Sequence, residues 1–182
     1  RRCGRTLASP RLNTTPQRPP RERRDALRLT LCVVGRLRAG PERDLIDDYL
    51  LRFDRTGRAL GLGPIDVREV EDRKGGGMVA EAVLLEKALP NGAAVIALDE
   101  RGKIKSSPDF ASDVARFRDD GRSDLAFIIG GADGIEPSLR AKCDASLSFG
   151  KMVWPHMLVR VMLAEQLYRA ASILAGAPYH RA

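Results

Sequence analysis

The sequence predicts an α/β fold, a mostly parallel sheet with helices on both faces. Three observations predict it. Leu29-Thr-Leu-Cys-Val-Val34 is a short, continuously apolar run ending at Gly35, the pattern of a strand covered on both faces. Runs of this kind alternate along the chain with stretches of helical periodicity, the sequence order of βαβ units. A glycine turn, Gly130-Gly131-x-x-Gly134, follows the apolar run Leu125 to Ile129. Outside the carboxyl ends of such strands, loops gather and free backbone groups can meet a ligand.

The elements follow in order. From Pro41 to about Phe53, the residues Leu45, Ile46, Tyr49, Leu50 and Phe53 recur at helical spacing, with Pro41 and Glu42 suited to a first turn. Ile65 to Val70 alternates and reads as a second strand at a sheet edge. Asp72-Arg-Lys-Gly-Gly-Gly77 lacks the GxxxxGK[ST] pattern of a phosphate loop. It reads as a basic connector with Arg73 and Lys74 available to RNA. A helix from about Met78 to Leu89 follows, with Val79, Ala82, Val83 and Leu89 as its inner face. Ala93 to Asp99 is the third strand and Glu100 to Lys105 the loop at its end. Ser107 caps the next helix with Pro108 at its first position; Phe110, Val114 and Phe117 face inward and Gly121 ends it. Leu125 to Ile129 is the fourth strand. After the glycine turn come a short helix, a strand-like run from Leu147 to Trp154, and a long helix from Pro155 to Ala175 that Gly176 and Pro178 close.

Composition bounds the function. A chain of 182 residues, 43% hydrophobic, buries one good core and is most simply one domain. No apolar run reaches membrane length, so a soluble, cytoplasmic protein is expected. The net charge is +7, but eight arginines against Glu22 and Asp25 sit within residues 1–26, leaving 23 basic and 22 acidic residues in the rest. RNA binding therefore requires a local patch or a surface composed of two subunits. Residues 1–26 hold few large apolar residues and are expected to be disordered. An RNA-binding arm, an organelle transit peptide and translated upstream sequence compete as explanations, and a dispensable extension is favoured. Cys3, Cys32 and Cys143 form no CxxC pair, and His156 and His180 are the only histidines. No metal site and no disulfide are expected.

The long helix is apolar almost all round: Leu158, Val159, Val161, Met162, Leu163, Leu167, Tyr168, Ile173 and Leu174 are interrupted chiefly by Arg160, Glu165, Gln166 and Arg169. Such a helix is buried on several sides. A homodimer would cover the side away from the sheet; the rival is a central helix buried within one domain. Glu165 and Arg169 have the favourable i,i+4 order, and Arg160 is expected to join them in ion pairs within or across that helix.

Pro155-His156-x-x-Val159-Arg160-Val161, then Glu165-Gln166-Leu167-Tyr168-Arg169-Ala170 and the ending Pro178-Tyr179-His180-Arg181 resemble the C-terminal signature of the ribosomal large-subunit pseudouridine N3-methyltransferases, small members of the SPOUT family. Gly130-Gly131-x-x-Gly134 resembles that family's glycine turn, and the similarity runs from about Leu27 to the end, so that residues 27–182 read as one SPOUT methyltransferase domain. The resemblance implies a C-terminal trefoil knot, a homodimer, S-adenosylmethionine as cofactor, and 23S ribosomal RNA, free or in the assembled ribosome, as substrate. Its cofactor contacts carry over to Leu98, Gly130 and the run Phe149, Gly150, Lys151, Met152, Val153 and Trp154. Met157, where the family usually has a second proline, and Ala132-Asp133 depart from the pattern.

Methyl transfer to an imide nitrogen needs alignment and a proton acceptor. The candidates are His156, Tyr179, His180 and Arg181. For His156, helix capping competes with chemistry. Composition alone reads Tyr179 to Arg181 as a frayed terminus, and only the family ending reverses that. The rival to an enzyme is a ribosome-associated RNA-binding protein that keeps the fold without catalysis.

Overall fold

The computed structural model describes residues 26–180. The expected disordered extension, Ala26 apart, lies outside the described residues, as does Arg181. Five strands, β1 (Leu27–Val34), β2 (Leu62–Val70), β3 (Ala94–Ile104), β4 (Asp124–Ile129) and β5 (Ala145–Ser148), form one sheet in the order β2-β1-β4-β3-β5. Every neighbouring pair is parallel. The connections carry helices α1 (Pro41–Gly57), α2 (Gly77–Ala88), α3 (Ser107–Asp119), α4 (Pro137–Lys142) and α5 (His156–Leu174), with 3-10 turns at Arg58–Leu60 and Pro178–His180.

Strand alternation divides the core. Leu29, Leu31 and Val33 of β1 and Leu125, Phe127 and Ile129 of β4 pack with Phe53, Phe110, Val114, Leu163 and Leu167, so α1, α3 and α5 form one layer. The residues between them, Cys32, Val34 and Ile128, meet Ala82, Leu85 and Leu139 of α2 and α4 on the opposite face. That two-sided cover is why β1 and β4 read as continuous apolar runs. Leu163 and Leu167 are fully buried, and truncating either to alanine would cost about 2–5 kcal/mol. No helix among the described residues is long and apolar enough to cross a membrane.

Four local expectations are corrected. Val79 and Val83 are exposed at 66% and 46%; α2 is apolar over much of its circumference, and the sheet takes only the stripe of Ala82 and Leu85. The cap of α3 is Ser106, whose Oγ accepts from the Asp109 amide at 3.3 Å. Ser107 instead donates to Gln166 at 2.8 Å, tying α3 to α5. The fifth strand is Ala145–Ser148. The Ser148 hydroxyl accepts from the Gly150 amide at 3.1 Å and donates to the Gly150 carbonyl at 2.7 Å, and Gly150 at φ 126 turns residues 149–154 out of the sheet.

The fourth correction concerns β3, which runs on to Ile104. Leu147 of β5 pairs with both Leu98 and Lys103 of β3, a register shift that takes up residues 99–102. Gly102 permits the passage. A Cβ there would stand 2.6 Å from the Leu147 carbonyl carbon, closer than any side chain tolerates.

The long helix is half wrapped by its own chain. Arg160, Leu163, Ala164, Leu167, Ala170 and Ala171 form the buried stripe. Leu158, at the opposite surface, and Met157, at the flank of the first turn, are 40% and 39% exposed.

Candidate functional site

A cavity of about 640 Å³ opens at the carboxyl edge of the sheet. Three corners form it: Leu98 to Arg101 after the paired part of β3, Ile129 to Gly134 after β4, and Leu147 to Trp154 after β5, with Pro155, His156 and Val159 closing it from α5. Leu98, Gly130, Phe149, Gly150, Met152, Val153 and Trp154 are thus brought together around one space, joined by His156. Lys151 is exposed and does not line it.

Each corner is fixed by hydrogen bonds. The Asp99 carboxylate accepts from the Arg101 amide at 2.9 Å, from Arg101 Nε at 3.2 Å and from Arg140 Nη1 at 2.9 Å. Burial alone would raise its pKa, but the Arg101 amide and the two guanidiniums outweigh burial and hold the Asp99 carboxyl below the usual value. At the second corner a Cβ on Gly130 would fall 2.1 Å from the Gly134 carbonyl oxygen, so the chain doubles back where only glycine fits. The Gly134 amide donates to the Gly131 carbonyl at 3.2 Å. Ser148, by its bonds to Gly150, sets the third. The walls are backbone and apolar surface, with Asp99, Glu100, Arg101 and Asp133 at the rim.

His156 is the first residue of α5, where Pro155 occupies the cap position with no side-chain capping bond. Burial first, and then the charge of Arg160, hold the His156 pKa below its ordinary 6.5. It is therefore neutral at neutral pH and able to accept a proton.

Arg160 does not join Glu165 and Arg169, contrary to expectation. Its side chain is 4% exposed, its Nη1 lies 3.7 Å from Glu69, and its Nη2 bonds the carbonyls of Val34 and, at 2.9 Å, Gly35. It ties α5 to the end of β1. Its Nε has no hydrogen-bond partner among the described residues.

The tail is organised differently. The Tyr179 hydroxyl donates to Glu165 at 3.1 Å, its ring centroid lies 4.5 Å from that of Tyr168, and the Arg169 guanidinium stands 5.0 Å over its face. Arg169 also pairs with Glu165 at 2.7 Å. Burial, with hydrogen bonding to Tyr49 and the charge of Glu165, pushes the Tyr179 hydroxyl well above its ordinary pKa. Glu165 lies nine residues along α5 from His156, about 13 Å at 1.5 Å per residue. The tail is thus held apart from the cavity at Tyr179, which does not line it, and His180 lies in the terminal 3-10 turn. A second groove, about 450 Å³, runs beside this tail between Tyr49, Phe110, Val161, Met162 and Glu165.

Cys32 is buried and donates to the Ala88 carbonyl; burial pushes its thiol, like that of Cys143, up to about 11. Both are inert thiols at neutral pH. Among the described residues no group of three or more His, Cys, Asp or Glu could hold a metal ion. The Arg140 clamp on Asp99 had no local signal in the sequence, since 41 residues separate the partners.

A parallel sheet of this order, with a cavity walled by the loops of its last three strands, is the α/β architecture that the resemblance implies. A family model described as a predicted SPOUT methyltransferase matches residues 27–180, and the chain belongs to that family. The ribosomal RNA large subunit methyltransferase H of Dinoroseobacter shibae is 74% identical over 155 residues, covering 85% of this chain and 99% of that protein. That of Ruegeria pomeroyi is 72% identical and that of Cereibacter sphaeroides 66%, each over the same shares. The chain belongs with them, to the ribosomal RNA large subunit methyltransferase H family. Solved structures with a likeness include a SpoU methyltransferase, AviRb, of Streptomyces viridochromogenes in complex with AdoMet, at 16% identity and TM-score 0.38, over 85% of this chain and 60% of that one. A probable methyltransferase of Bordetella pertussis has 14% identity and TM-score 0.47, over 80% of this chain and 96% of that one.

Proposed function

We propose that this chain is an S-adenosylmethionine-dependent methyltransferase of the ribosomal large subunit that methylates N3 of a pseudouridine in 23S ribosomal RNA. The observation that carries the reading is the convergence of three backbone-rich corners on one cavity of about 640 Å³, a size that suits a nucleoside-containing ligand. A side chain at Gly130 would collide with the Gly134 carbonyl, so this wall offers bare backbone to an adenine, while Leu98, Val153 and Trp154 offer apolar surface to a thioether. Bound there, S-adenosylmethionine supplies an electrophilic methyl group on its sulfonium and leaves as S-adenosylhomocysteine.

The protein's own residues have three tasks. The cavity walls align the methyl donor with the attacking nitrogen, the larger part of the rate for such a transfer. Neutral His156 accepts the N3 proton, with His180 as the second candidate. Tyr179 and Arg181 hold the extruded base and its phosphate.

The tail cannot do this in its own subunit without leaving Glu165. A homodimer in which two α5 helices cross antiparallel near Val161 and Met162 would lay the tail of one copy at the His156 end of the other. The half-exposed apolar surface at Met157 and Leu158 supports such a pairing. The active enzyme is then a cytoplasmic dimer with two composite sites and no metal.

Three experiments test this. Mass spectrometry of 23S ribosomal RNA from a deletion strain should show the 3-methylpseudouridine signal lost, and an unchanged signal defeats the substrate. Titration calorimetry should show S-adenosylmethionine binding; its absence favours the non-catalytic ribosome-associated alternative. Mixing copies disabled in the cavity with copies disabled in the tail should restore activity if the sites are composite, because one site per mixed dimer is then intact.

A further inference from the structure

The walls of the cavity rest on a residue that lies behind them. Glu81 of α2, on the opposite face of the sheet from α5, lays its carboxylate against the Gly131 backbone, whose amide favours the charged form. The contact is close: a Cβ built on Gly131 would stand 2.9 Å from each of the two Glu81 carboxylate oxygens. Gly131 belongs to the turn that also contains Gly130 and Gly134, and all three line the cavity.

We propose that Glu81 is a positioning residue for the methyl donor: its carboxylate holds the Gly131 amide and so sets the conformation of residues 130–134 against the cofactor. This rests on the reading of the cavity as the S-adenosylmethionine site. A turn made of three glycines in five residues is the least self-constrained part of the wall. Its internal tie is the single Gly134 to Gly131 backbone bond. A carboxylate acceptor makes a stronger tie to an amide than a neutral one, and the outer-shell partners of metal ligands, which orient ligand-contacting groups from behind in the same way, change affinity about 10- to 100-fold when removed. The carboxylate is kept in a costly place. Burial first, then the nearby Asp133 and Asp72, raise its pKa above the ordinary value in spite of the Gly131 bond. A surface glutamate on the outer side of α2 would carry no such penalty.

Calorimetric titration of the full chain with S-adenosylmethionine, paired with urea denaturation, tests the proposal. Glu81→Ala should raise Kd about tenfold with a native-like unfolding midpoint. Glu81→Gln, which keeps an oxygen for the Gly131 amide, should recover most of that loss. Gly131→Ala gives a second route, since its new methyl pushes the carboxylate aside. It should weaken binding similarly, and the double variant Glu81→Ala with Gly131→Ala should be no weaker than either alone. Additive losses, or a Glu81→Ala protein that binds like the wild type, would overturn the role of Glu81. A wild type that fails to bind S-adenosylmethionine overturns the cavity reading beneath it, a result distinguishable from both.

Discussion

The two ends of the region around α5 solve different problems. At the His156 end, three loops present glycines, carbonyls and apolar side chains to a cavity, and the charged groups that matter, Asp99 with Arg140 and Glu81 with Gly131, stand at the rim or behind the wall. At the Tyr179 end, the chemistry is all in side chains. Tyr179, Tyr168, Glu165 and Arg169 form a compact aromatic and ionic cluster lying on the helix. A cavity of backbone and apolar surface is complete when one chain has folded. The Tyr179 cluster instead lies along the helix beside the second groove, held by its own ring and ion contacts.

The contrast can be broken most severely at Gly130. Gly130→Ala drives a methyl into the Gly134 carbonyl and should abolish S-adenosylmethionine binding, read by calorimetry. Normal binding would remove the argument that bare backbone makes the wall. Next in size is Arg160→Ala, which leaves two carbonyls and Glu69 without their buried partner. It should cost about 3 kcal/mol of stability in urea denaturation, loosening the cavity end of α5 from β1.

Tyr179→Phe sharpens the distinction from the other side. It removes one hydrogen bond to Glu165, costs about 1 kcal/mol, and should leave cofactor affinity unchanged while methylation falls about tenfold. Equal loss of both would place the tail in the cofactor site instead. The smallest effect concerns pH. The folded His156 has a pKa below the ordinary 6.5, so its neutral form contributes stability that is present above that value and lost as pH falls through the folded pKa. The wild type should therefore lose more of its urea midpoint between pH 7.5 and 5 than His156→Gln does.

Much of this was legible in the sequence, and the failures have physical causes. All five strands and the helices between them follow from apolar runs and 3.6-residue periodicity, because β1 and β4 are covered on both faces and α1 and α3 on one. The fifth strand was displaced because Leu147 to Trp154 is apolar like a strand, although Met152 and Val153 are 69% and 78% exposed. Their hydrophobic character belongs to a loop that lines the cavity, which periodicity cannot separate from a core element. The cavity was found because glycine and strand ends mark it locally. Arg140 and Glu81 were not, since each acts across the fold on a residue 41 or 50 positions away, and nothing in their own neighbourhood signals a partner.

The register shift between β3 and β5 has a mechanical consequence. Leu147 is held at two points of β3, Leu98 and Lys103, so the terminal segment that carries Phe149, Trp154 and all of α5 leaves the sheet from a doubly fastened residue. A protease cut within residues 99–102 would open that buckle without removing a single core side chain. The nicked molecule should shed its C-terminal piece under mild denaturant that leaves the intact chain folded.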